Sequence, residues 1–265
     1  MTTRLDGPET RFLPFNRGNA GHAGNPANPH GAATAYLWEE VLAKDTWLNI
    51  LGKFMHVQVA KRKDPATGRV SRSSTVIFPR YHQHDAVTTL LADAKEKGPG
   101  QRYLVQHSAG SGKTNSIAWL SHQLSTLHDA DSDKVFDSVL VITDRTVLDD
   151  QLQDAIYQID HKRGVVLPIG QGTGSDFAKR FSSKSQALTE ALTTGGAIIV
   201  VTIQTVPYAL DAIRESKALA GKRFAVIIDE AHSSQTGESA NKPVSYTHLR
   251  AHETDSYLVC RLLLE

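Results

Sequence analysis

Residues 102–114 read RYLVQHSAGSGKT, an apolar run that breaks into a glycine-punctuated loop and closes on lysine and threonine. RYLVQ has the make-up of a short strand, and the residues after Gly112 open a helical stretch over 113–127. Strand, glycine loop and helix in that order, ending GKT, fit the phosphate-loop pattern from Gly110 onward. Gly110 and Gly112 let backbone N–H groups turn inward around an anion, and the helix N-terminus adds partial positive charge. Lys113 is then placed to reach the outer phosphates of a nucleotide and to assist their transfer, and the Thr114 hydroxyl to ligate Mg²⁺. The cradle comprises His107, Ser108, Ala109, Gly110, Ser111, Gly112, Lys113 and Thr114. His107 stands where the pattern has glycine, a position that shapes the turn rather than touching phosphate. The plainer alternative is a glycine-rich turn before a helix, with no ligand.

A second string depends on the first. Residues 225–232 read AVIIDEAH, with Asp229 and Glu230 at the tip of an apolar run. Adjacent carboxylates at the end of a buried strand are costly without a cation. Asp229 is the expected magnesium ligand, and Glu230 the general base that orients and deprotonates an attacking water. A phosphate loop followed by this acidic pair indicates a motor driven by nucleoside triphosphate.

The rest of this region repeats one pattern. Apolar runs RYLVQ, SVLVIT (138–143), GAIIVVT (196–202) and RFAVIID (223–229) alternate with helical stretches at 113–127, 147–159 and 206–219. Near-continuous Val/Ile/Leu strands separated by helices predict an α/β domain, a parallel sheet covered on both faces. Sites in such sheets lie beyond the C-terminal strand ends. Three polar groups fall there. Arg145, in TDRTVLDDQL, is a candidate for DNA phosphate contact or a surface ion pair, while Thr146 and Asp149 read as a capping box. Thr202, with Gln204 and Thr205, could donate to phosphate or do nothing.

Upstream, residues 1–32 are rich in Gly, Asn and Pro and read as irregular chain. Residues 33–98 form a connector. It holds helical stretches at 34–43 and 45–55, with Asp45 as N-cap, strands HVQVA and STVIF around the turn DPATG, and a helix over 81–97. Residues 99–243 form the sheet domain. The chain carries a formal charge of +1, so no global basic field announces a nucleic-acid partner, and any contact must come from local Lys and Arg placement. No run is long and apolar enough to span a bilayer, the N-terminus lacks the apolar core of a secretory signal, and one cysteine excludes an internal disulfide framework. Cytoplasm is the expected compartment. No Cys/His cluster with metal-ligand spacing and no Ser/His/Asp arrangement is present.

Residues 244–265 break the pattern. SYTHLRAHE (245–253) and LVCRLLL (258–264) resemble two blocks of sequencing-library adapter translated in one frame, with a variable index between them. This tail is expected to be non-native, the natural sequence continuing elsewhere from about residue 243. As a folded segment, 248–265 would read as an amphipathic helix.

Taken together, RFLPFNRG, GNPANP, TAYLWEEVL, DTWLNIL, RYHQ, QHSAGSGKT, TDRTVLDDQL, TIQT and DEAHSSQTGE, in that order, resemble the motor (R) subunit of type I restriction enzymes, a superfamily 2 helicase-like protein. The resemblance covers nearly all of 1–242. It implies a RecA-like first motor domain preceded by a connector, ATP and Mg²⁺ as ligands, and double-stranded DNA as the translocated substrate. It also implies modification and specificity subunits as partners, and no membrane. Lys113, Thr114, Asp229 and Glu230 carry over to ATP hydrolysis, Gln83 to adenine recognition with Tyr81 as a flanking ring, and Arg145 to DNA. From spacing alone Gln83 reads equally as an exposed helix-start glutamine. The family's PD…ExK nuclease constellation is not found here, and its second motor domain would follow residue 243. The expectation is therefore an internal fragment that binds ATP weakly and turns it over poorly. Two other readings compete: a different superfamily 2 DNA or RNA helicase, and a non-catalytic nucleotide-binding module.

Overall fold

The computed structural model describes residues 7–10, 15–20, 22–63, 68–107, 110–143, 146–159, 165–169, 178–207, 216–229 and 257–264. The chain divides between Val87 and Thr88 into two compact units.

In the first unit, helix α1 (Lys44–Asn49) is flanked by π-helical turns at Leu37–Val41 and Ile50–Phe54. Ala43, not Asp45, is the N-cap of α1, and it makes no side-chain cap bond. Asp45 instead sits in the first turn, where its carboxylate complements the helix dipole. Phe15, Tyr36, Val41 and Ile50 form the small core, with Trp47, Phe78 and Tyr81 packed against it. The ring pairs Phe15–Tyr81 and Tyr36–Tyr81 meet edge to face at 5.6 Å. Strands β1 (His56–Lys63) and β2 (Val70–Ile77) make a separate antiparallel hairpin, and residues 64–67 of its expected turn lie outside the described residues.

Two half-buried histidines give this unit a pH dependence. Burial lowers the pKa of His84, against an opposing effect of Asp85, and lowers that of His56, against a hydrogen bond to the Phe54 carbonyl. Folding therefore disfavours protonation of both, whereas the unfolded chain takes up protons below about pH 6.5. The stability is thus fully present above about pH 6.5 and falls as pH drops below it. Thermal melts at pH 7.5 and 5.5 should show a lower midpoint at pH 5.5, with the difference reduced in His84→Asn. An unchanged difference in that variant would remove His84 from the account.

Helix α2 (Tyr81–Lys97) spans the boundary between the units. The second unit then alternates as its apolar runs predict: β3 (Arg102–His107), α3 (Lys113–Ser125), β4 (Ser138–Thr143), α4 (Thr146–Ile159), β5 (Val166–Ile169), α5 (Lys184–Thr194), β6 (Ile198–Thr202), β7 (Phe224–Asp229) and β8 (Tyr257–Leu264). The six strands form one sheet in the order β3-β8-β7-β4-β6-β5, every pairing parallel. Alternate residues separate its faces. Leu140, Ile142, Ile199, Val201, Val226 and Ile228 pack with Ala187, Leu188, Ala191 and Leu192 of α5. Val139, Val141, Ile198, Val200, Ala225 and Ile227, pointing the other way, are buried as well. Helices α3 and α4 pack on each other and against β4, β6 and β7. The central strands β4, β6 and β7 are therefore covered on both faces, whereas Leu104 of β3 is exposed, and the expected α/β class holds.

Three expectations need correction. The helix over 206–219 is not continuous: Val206 and Pro207 are helical, 208–215 lie outside the described residues, Ser216 is extended, and Lys217–Leu219 is a lone 3-10 turn. Two elements, β5 and α5, went unread. Residues 257–264 form a strand rather than part of a helix. Their run YLVCRLLL, apolar except at Arg261, pairs in parallel with β3 on one side and β7 on the other.

Candidate functional site

The loop from β3 to α3 and the tip of β7 lie at the same, C-terminal edge of the sheet. His107 ends β3 and is buried. Ser108 and Ala109 lie outside the described residues. Gly110 (φ +73°) and Gly112 (φ +84°) both take the left-handed conformation that glycine alone adopts without strain. Space beside Gly110 is open: a Cβ added there would meet nothing within 4 Å. Gly112 is the N-cap of α3 and has no side chain with which to cap it. Asn115 and Ser116 donate back to the Gly112 carbonyl, while the N–H groups of Lys113 and Thr114 have no acceptor within the helix. Buried Ser111 and exposed Thr114 flank Lys113.

Lys113 reaches across the sheet. Its Nζ lies 2.9 Å from Oδ1 of Asp229 at the end of β7, and the two side chains are only 9% and 11% exposed. One strand, β8, separates β3, which leads into the phosphate loop, from β7, which ends at Asp229, and Lys113 meets Asp229 from the start of α3. Apart from this ion pair, neither the ammonium nor Oδ1 has a hydrogen-bond partner among the described residues. A buried ammonium with three donors and one anionic neighbour is under-satisfied. A nearby second anion would complete its shell, and a cation would do the same for Asp229.

These features fit a nucleotide phosphate with Mg²⁺. The positive-φ glycines and first-turn N–H groups form an anion cradle, Lys113 has donors to spare, and Thr114 and Asp229 offer oxygen donors of the kind magnesium takes. Ser116, one turn into α3, was not singled out by its sequence because the phosphate-loop pattern stops at Thr114. Its hydroxyl is buried with no hydrogen-bond partner among the described residues, a property visible only once α3 is packed.

Glu230, the expected general base, and Arg145 lie outside the described residues, as do residues 144–145 and the side chains of 146–151 that bear on the capping box. Thr202 ends β6, is buried, and shares a 3.1 Å hydroxyl–hydroxyl hydrogen bond with Thr205. Gln83 is in the first unit. It is a helix-start glutamine but only 3% exposed, and its Oε1 accepts from the Arg80 backbone N–H at 2.8 Å, one half of a capping box. Tyr81 carries the Arg17 guanidinium 5.7 Å from its ring centroid, besides its contacts with Phe15 and Tyr36. No described helix is long and apolar enough to cross a membrane.

The family model for SWI2/SNF2 ATPase matches residues 82–249, more than half of the chain. No curated protein matches. Among solved structures, the chain is similar to T4 UvsW (17% identity, TM-score 0.41, covering 71% of this chain and 30% of that one). It is also similar to a nuclease-deletion mutant of the Type ISP restriction-modification enzyme LlaGI, solved with a DNA substrate mimic (18% identity, TM-score 0.40, covering 69% and 17%). The chain thus spans less than a third of either protein.

Proposed function

The chain belongs to the SWI2/SNF2 ATPase family, and we propose that it is the first motor domain of an ATP-dependent DNA translocase, the R subunit of a type I restriction-modification enzyme. The observation that carries the nucleotide part is the buried Lys113–Asp229 pair at the C-terminal edge of the parallel sheet. In this reading the loop 107–114 would bind the phosphates, Lys113 would turn from Asp229 to the outer phosphates, and Thr114 and Asp229 would hold Mg²⁺. The metal supplies charge neutralisation on the phosphates. Glu230 orients a water and accepts its proton. Gln83 is assigned to adenine recognition, and Arg145 and Thr202 to DNA contact.

The restriction assignment rests on strings outside the ATP site, above all RFLPFNRG, TAYLWEEVL with DTWLNIL, and SSQ after DEAH. It brings modification and specificity subunits as partners and the cytoplasm as compartment. A triplex-displacement assay on the polypeptide carrying this chain, reconstituted with those subunits, tests it. ATP should drive displacement of a triplex-forming oligonucleotide from duplex DNA without separating the duplex strands. Strand separation would instead favour a helicase, and absence of both activities with ATP present would overturn the motor assignment.

A further inference from the structure

We infer that a second copy of this chain docks on the hairpin β1–β2, with its helical turn at Leu37–Val41 seated on the hairpin's apolar face. The inference is independent of the nucleotide and DNA readings.

Residues directly opposite each other in an antiparallel ladder share a face, and faces alternate along each strand. Val57 stands opposite Val76 and Val59 opposite Ser74, with Arg72 two residues along β2 from Ser74. One face therefore carries Val57, Val59, Ser74, Val76 and Arg72, and extended Met55 continues the same alternation before β1. The opposite face carries Ser71, Ser73 and Thr75. Such a pattern turns the apolar face towards a core. Here Met55, Val57 and Val59 are 39–50% exposed, and the serine face is exposed as well. The two strands pair with no other strand. A lone two-stranded hairpin is marginal in water and gains stability by packing its apolar face on another element. Arg72 is exposed and makes no ion pair among the described residues. The face thus calls for apolar side chains beside a carboxylate.

The chain carries that complement itself. Trp38 and Leu42 lie four residues apart on and just after the turn Leu37–Val41, hence on one side of it, and each is more than half exposed. Glu39 is exposed beside them and makes no ion pair among the described residues, whereas Glu40 is taken by Arg17. Tryptophan is the residue type most enriched among the anchors of protein interfaces. Within one copy both surfaces stay exposed, so they do not cover each other. Between two copies they meet twice: a two-fold axis that sets one chain's turn on its partner's hairpin also sets the partner's turn on the first hairpin, and the assembly closes as a dimer. Two hairpins packed face to face do not serve, because that face offers no carboxylate to Arg72.

Sedimentation velocity of the full chain across the micromolar range tests this. The parent should form a dimer and nothing larger, its fraction rising with concentration. Trp38→Ser and Val57→Thr/Val59→Thr should each raise the dimer Kd at least tenfold, and so should Arg72→Glu and Glu39→Arg. The double variant Arg72→Glu/Glu39→Arg should return to parent-like association, because exchanging the two charges restores the pair. Ser73→Glu, on the serine face, should leave Kd unchanged. If a single variant melts below the parent, recovery in the double variant carries the test, since a misfolded chain does not regain a specific contact. A parent that stays monomeric throughout would overturn the inference, as would a double variant no tighter than the single ones. Association that Ser73→Glu weakens as much as Arg72→Glu does would place the contact elsewhere and overturn it too.

Discussion

Lys113→Ala is expected to lose both nucleotide affinity and fold stability, for separable reasons. The stability loss comes from Asp229, which would be left as a nearly buried carboxylate without its cation. Breaking such a pair from one side costs about 3–5 kcal/mol. The affinity loss comes from the charged contact with phosphate, worth about 1.5–3 kcal/mol, or roughly 10- to 150-fold in Kd. The double variant Lys113→Met/Asp229→Asn separates them. It removes both charges, so its thermal midpoint should return toward the parent's, while nucleotide affinity stays low. A purely structural ion pair would recover stability in the double variant without nucleotide affinity having fallen in either protein.

Deleting residues 257–264 should have the larger effect on the fold. β8 supplies the ladder on both of its edges, to β3 on one side and β7 on the other. Without it the strand leading to Lys113 loses its described neighbour, and the strand ending at Asp229 keeps only β4. A loss of several kcal/mol lowers Tm by about 10 °C or more for a domain of this size, at roughly 2–4 °C per kcal/mol. Replacing Tyr257–Leu264 by a run of Val and Ile should restore the melt, because what β8 supplies is backbone pairing on both of its edges rather than these particular side chains. Parent-like melting after deletion would show that β8 contributes nothing to the sheet in solution.

What was legible in the sequence followed hydrophobic pattern. Strands at 138–143, 198–202 and 224–229 announce themselves by near-continuous Val, Ile and Leu, the strand at 102–107 by the shorter run YLV, and the parallel sheet follows from their alternation with helices. β5 was missed because it is four residues long and contains Pro168, which argues against an interior strand. It lies at the edge of the sheet, where a missing N–H is tolerated. α5 did carry signals: Ser183 accepts from the Gln186 N–H as N-cap, Gly195 closes the helix in the left-handed conformation, and Ala187, Leu188, Ala191 and Leu192 share one face. Its apolar stripe is narrow and interrupted by Thr and Glu, which hid the period. In the site, the residue types at Gly110, Gly112, Lys113 and Asp229 were readable one by one. Their meeting was not, because the 2.9 Å contact depends on strand order, which no local pattern contains. Gln83 illustrates the converse: its position at the helix start was legible, but its burial and its bond to Arg80 belong to packing.

The central claim is that the loop at 107–114 and the tip of β7 form one wall of a nucleotide site. It is tested most directly by equilibrium titration of the chain with a fluorescent ATP analogue, with and without Mg²⁺, alongside Lys113→Met/Asp229→Asn. The account predicts saturable binding by the parent, tightened by Mg²⁺ and displaced by unlabelled ATP, and at least tenfold weaker binding by a variant that melts like the parent. Equal binding by the two proteins, or none by the parent, would contradict it.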